Sequence, residues 1–133
     1  MINDITREWL TYAISDLAAA NSLQGDRKQY RNVAYHCQQA AEKALKGYLT
    51  HNNIKFDRTH DLIILISECA LIDISFNGAR LINHCINLNP FSVNIRYPGS
   101  VIKADYASVR KCLNSAARIL DFVCTKLGIG FKI

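Results

Sequence analysis

The chain has no long hydrophobic run. None of its apolar stretches approaches the roughly 18 residues that a membrane-spanning helix needs, so a transmembrane segment is not expected. The opening stretch, MINDITREWL, lacks a basic start followed by an apolar segment, so no secretory signal is read there and a cytoplasmic protein is expected. Proline is scarce, and both prolines, Pro90 and Pro98, fall between residues 89 and 104. There is no linker, low-complexity tract or internal repeat. The five cysteines, Cys37, Cys69, Cys85, Cys112 and Cys124, include no CxxC pair. Neither they nor His36, His51, His60 and His84 cluster as zinc ligands do, and neighbouring His84 and Cys85 point in different directions on a helix. No metal site and no cofactor are expected. The odd number of cysteines, each within an apolar helical pattern, predicts buried, reduced thiols. Acid is scarce in one half. Residues 74–133 hold 2 acidic against 8 basic residues, whereas residues 1–73 hold 9 against 8. The net charge of +5 therefore sits in the C-terminal half, which suggests an anionic partner, RNA foremost.

What is present is helix. A length of 133 residues, half of them hydrophobic, suits one domain, residues 1–133, with a core of its own. Ile5, Trp9, Tyr12, Ala13, Leu17 and Ala20 recur at spacings of three and four, predicting a first helix over about residues 4–23. QGDRKQ interrupts it, and a second helix runs from about Gln29 to Asn52. Thr59 is a suitable N-cap for a third helix beginning at His60 and carrying Leu62, Leu65, Ile66 and Cys69. A fourth begins near Ser75 or Phe76 and ends by Leu88, before an Asn-Pro pair. Residues 89–104 have no sustained period and read as loop. Tyr106, Val109, Leu113, Ala116, Leu120, Val123 and Leu127 mark the seam of a last helix, stopped by Gly128. The expected fold is all-α, an up-and-down antiparallel bundle of about five helices.

The second helix is the most unusual element. Val33, Cys37, Ala40, Ala41, Ala44 and Tyr48 form its apolar stripe. Its polar residues fall into two rows: Asn32, His36, Gln39, Lys43 and Lys46 in one, and Arg31, Tyr35, Gln38 and Glu42 in the other. A polar stripe opposite a core stripe is ordinary for a surface helix, and Glu42 with Lys46 is an ordinary i,i+4 pair. The concentration of amide and imidazole groups is less ordinary, since Glu and Lys serve solubility better.

YHCQQAAEKALKGYL, followed by RTHDL, resembles the HEPN domain (higher eukaryotes and prokaryotes nucleotide-binding domain). Cys37 stands where that family commonly has Ala, and Thr59, His60, Asp61 and Leu62 match its second word. RYPG, Arg96 to Gly99, and EWLTYAISDLAAA resemble two further family elements, so the likeness covers nearly the whole chain. The resemblance implies a helical bundle that forms a homodimer. It implies either a nucleotide- or RNA-binding protein working with a nucleotidyltransferase-type partner in a two-component, toxin-antitoxin-like system, or a metal-independent endoribonuclease using an Arg and a His. Arg31 and His36 in RNVAYH, with Asn32 after the Arg, have the spacing of that pair, and Arg31 and His36 are the catalytic candidates, although family ribonucleases usually carry the pair on a later helix. Arg31 and His36 would point about 140° apart on one helix, so the ribonuclease reading requires a cleft shared by two copies. The binding reading assigns Gln38, Gln39, Glu42, Lys43, Lys46 and Arg96 to ligand contacts. A third reading is a non-catalytic accessory or antitoxin-type protein that presents a surface to a partner chain.

Overall fold

The computed structural model describes residues 2–131, Asn94 by its backbone alone. Five α-helices account for the architecture: α1 Asp4–Leu23, α2 Tyr30–His51, α3 Leu62–Ile72, α4 Ala79–Leu88 and α5 Tyr106–Lys126. Among the described residues there is no strand, and no helix is long and apolar enough to cross a membrane.

Side-chain and backbone chemistry sets each helix end. Asn3 caps α1 by accepting from Thr6 N, and Asp105 caps α5 by accepting from Ser108 N. The helix α2 stops where Asn53 enters the left-handed region at φ 58°, a conformation Asn tolerates. Gly128, at φ 71°, ends α5 in the expected way. Two helices begin later than their patterns suggest. For α3 the cap is Asp61, not Thr59. Its carboxylate accepts from Ile63 N at 2.9 Å, while Thr59 Oγ1 accepts from Asp61 N. In front of α4, Asp73 caps a short 3-10 turn, Ile74–Asn77, and Gly78 in extended conformation delays the α-helix to Ala79. Residues 89–104 are not featureless, because two 3-10 turns, Asn89–Phe91 and Val93–Arg96, bury Phe91 and Ile95.

The helix α2 is the centre of the bundle. It packs along α1, α5 and α3, and 14 of its 22 residues are buried. The α1–α2 pair is antiparallel: Gly47, late in α2, meets Trp9 and Leu10, early in α1. A Cβ at Gly47 would lie 3.1 Å from Trp9 Cβ, so the missing side chain permits the close approach. Ala13 and Ala20 of α1, and Ala40, Ala41 and Ala44 of α2, are fully buried, consistent with tight helix packing. Between α4 and α5 the direction is also antiparallel, with Arg80, early in α4, sharing a groove with Asp121, late in α5, and Asn87, late in α4, sharing one with Ser108, early in α5. Phe76 closes one end of the core against Tyr48 and Phe122, at centroid distances of 4.5 and 5.0 Å. All five cysteines are free and buried, as expected from their positions.

Candidate functional site

The polar residues of α2 have two kinds of surroundings, and the division cuts across both rows. Gln38, Gln39, Glu42 and Lys46 are buried, at 0, 8, 4 and 8% exposure. The cover is the loop after α2. Gln38 Nε2 donates to the backbone carbonyl of His60 at 3.0 Å, and His60 Nδ1 lies 2.9 Å from Glu42 Oε1. Lys46 Nζ donates to Glu42 Oε2 at 3.0 Å and sits 5.5 Å from the centre of the Phe56 ring, itself edge-on to Trp9. Gln39 Nε2 donates to Gln38 Oε1 at 2.9 Å. Glu42 is thus the hub of a satisfied internal network that fastens residues 56–60 onto α2. Buried polar groups that satisfy one another in this way specify packing.

His36 and Lys43 reach the surface. His36 Nδ1 lies 2.8 Å from Asp16 Oδ1 of α1, and the Lys43 ammonium pairs with the other oxygen of the same carboxylate. An imidazole held at Nδ1 by a carboxylate has a fixed orientation, with Nε2 left to take or give a proton. His36 is part-exposed. Its ring is 5.7 Å from that of Tyr35, and the Arg96 guanidinium stacks on the same Tyr35 ring at 4.6 Å. Arg96 and His36 therefore flank one aromatic side chain. Neither the Asp16 partner nor the Arg96–Tyr35 stack is legible from spacing, because α1 and residues 93–96 reach α2 only through the fold.

Arg31 lies elsewhere. It is exposed and lines a cleft of 370 Å³ between the start of α2 and the RYPG turn. Arg27, Lys28 and Lys103 line the same cleft, with Tyr30 and Tyr97 beside them. Four cations face this space, and among the described residues no carboxylate does. Such a concavity draws anions, and guanidinium groups suit phosphate. Within one chain Arg31 and His36 thus have different neighbours. Of the other basic residues, Arg110 Nη1 donates to Gln24 Oε1 at 2.6 Å, and Arg118 lines a separate groove between α4 and α5. Among the described residues no group of histidine, cysteine and carboxylate side chains could hold a metal ion.

The family model described as HEPN domain matches residues 6–127. Two solved structures share the architecture. One is an archaeal HEPN homologue, ST0689, 25% identical, with a TM-score of 0.74 over 92% of this chain and 97% of that one. The other is TT1696 from Thermus thermophilus, also 25% identical, with a TM-score of 0.77 over 93% of this chain and 99% of that one. No curated protein matches the chain.

Proposed function

The chain belongs to the HEPN domain family, and from that premise we propose that it binds a nucleotide or RNA at the cleft beside the RYPG turn. The observation that carries this reading is the cleft's composition, with Arg27, Lys28, Arg31 and Lys103 around one space and no carboxylate among them. The site extends along α2. Arg31 is one turn before Tyr35, whose ring supports Arg96, and His36 follows. Phosphates occupy the cleft and the Arg96 side chain, and Tyr30 and Tyr97 offer aromatic surface to bases. The functional unit in this proposal is a homodimer working with a nucleotidyltransferase-type partner.

Labelled RNA binding, measured by anisotropy at several salt concentrations, tests the reading. Affinity should fall steeply with salt, and Arg31→Ala with Lys103→Ala should lower the logarithmic salt slope by about 1 for each phosphate no longer neutralised. An affinity and slope unchanged in the double variant would overturn the assignment. Wild-type protein that binds neither RNA nor nucleotides would leave the accessory, partner-binding reading in its place.

One observation favours a second reading, metal-independent RNA cleavage. The Asp16–His36 pair orients an imidazole as acid–base catalysis requires, and Arg96, stacked on the Tyr35 ring that His36 also meets, can hold the phosphate. A 2′-hydroxyl would lose its proton to His36 Nε2 and attack the adjacent phosphorus, giving a 2′,3′-cyclic phosphate as the bond to the 5′-oxygen breaks and that oxygen takes a proton from water, with the crowded phosphorane held by arginine.

A further inference from the structure

The groove between α4 and α5 holds a second set of polar groups that the cleft does not use. Its 400 Å³ space is bounded by Arg80 and His84 of α4, Arg118 and Asp121 of α5, and the uncapped start of α4 at Gly78. Among the described residues, none lines both this groove and the cleft beside the RYPG turn.

The histidine here is built into the packing. Ser115 is fully buried on α5, and its Oγ accepts from Asn87 Nδ2 at 3.1 Å. The same oxygen lies 2.9 Å from His84 Nδ1. With the hydroxyl donating to Nδ1, the ring proton sits on Nε2, the edge away from Ser115. Burial, helped by the positive charge of Arg118, holds the His84 pKa below its ordinary value, so the ring is a neutral N–H donor near pH 7. Arg80 and Arg118 have no carboxylate within ion-pair distance among the described residues. Asp121 lines the groove without pairing with either.

We propose that this groove is a binding site for a phosphate monoester whose carrier bears a hydroxyl. Arg80 and Arg118 would hold the phosphate oxygens and the Nε2–H of His84 would donate to a third, as convergent charged donors do. The start of α4, which has no side-chain cap, borders the same space and adds positive potential. Asp121 accepts from the hydroxyl. Its negative charge also offsets one arginine, which disfavours bare phosphate relative to an ester that offers it a donor. The site is independent of the cleft proposed above.

The test uses the intact chain, with the His84 ring followed by NMR during titration with ribose 5-phosphate and, separately, inorganic phosphate, against chloride at equal ionic strength. Saturable shifts are expected with ribose 5-phosphate, and weaker ones with inorganic phosphate. Arg80→Gln with Arg118→Gln should abolish both, while Asp121→Asn should remove the preference for the ester. Nitrogen shifts should report the Nε2–H tautomer in the wild type and its loss in Ser115→Ala, a change that mere helix packing would not produce. RNA binding at the cleft should be unaffected in the Arg80/Arg118 variant, so the two sites fail or succeed separately. His84 signals that move no more with either phosphate than with chloride would overturn the proposal, as would shifts that persist in the double arginine variant.

Discussion

Among the described residues, no other charged side chain has as many side-chain partners as Glu42. Its two oxygens meet Lys46, His60, Gln38 and Gln39, all inside 3.4 Å. A buried ion pair adds little net stability when intact, because desolvation offsets the attraction, but removing one partner strands the other. Glu42→Ala leaves Lys46 buried without a counter-ion, so it should cost about 3 kcal/mol or more in urea unfolding. Glu42→Gln keeps the shape and some hydrogen bonds and should cost less. Equal stability of Glu42→Ala and wild type would show that the network is not held as described. The cysteines make a simpler case. Burial raises the Cys69, Cys85 and Cys112 thiols to about 12, raises Cys124 to about 11, and moves Cys37 strongly upward. The thiolate is the reactive form, so none should react quickly with a thiol reagent at pH 8 in the folded protein. All five should react after unfolding without reductant. Rapid modification of the folded chain, or recovery of a single thiol, would contradict this arrangement.

At the scale of elements, the helices were legible because each carries a 3.6-residue pattern or a local stop such as Gly128. The starts of α3 and α4 were less so. Thr59 and Asp61 are both good caps, and which one wins depends on Asn89, whose Oδ1 accepts from Leu62 N while its Nδ2 donates to Asp61. That residue is far away in sequence. The polar rows of α2 were visible as rows, but four of their nine residues, Gln38, Gln39, Glu42 and Lys46, are buried where the loop carrying Phe56 and His60 comes down on α2. The two most recognisable words in the chain, QQAAEKALK and THDL, turn out to contact each other through Gln38, Glu42 and His60. Their pairing is a structural lock that spacing alone did not disclose. Gly47 was likewise silent in sequence, since a glycine in a helix normally only weakens it. Its reason is the Trp9 Cβ that lies over it. Gly47→Val should push α1 off α2 and cost about 1–3 kcal/mol, read as a lower unfolding midpoint with an unchanged slope. A stabilised variant would mean that α1 moves freely enough to accommodate the side chain.

For the whole molecule, the decisive question is whether Arg31 and His36 ever act on one phosphate. In a single chain they belong to different surroundings, the cleft of the RYPG turn and the Asp16 pair. A two-fold dimer is the arrangement that brings one copy's arginine to the other's histidine. Its first expected sign is a solution mass twice the 15.0 kDa of the chain, measured by light scattering. Its second is metal-independent RNA cleavage in EDTA that Arg31→Ala and His36→Ala each abolish. Both residues lie outside the buried stripe of α2, so neither change should cost much stability. Mixing the two inactive variants then separates a shared site from two separate ones. A mixed dimer holds one cleft with both side chains intact and one with neither. If subunits exchange freely, activity should return to about a quarter of the wild-type level, because half the dimers are mixed and each has one working cleft. If each chain acts alone, the mixture stays inactive. Activity that survives Arg31→Ala but not His36→Ala would remove Arg31 from the chemistry and leave Asp16, His36 and Arg96 to be tested as a site within one chain, whereas activity that survives His36→Ala would remove the histidine and both readings with it.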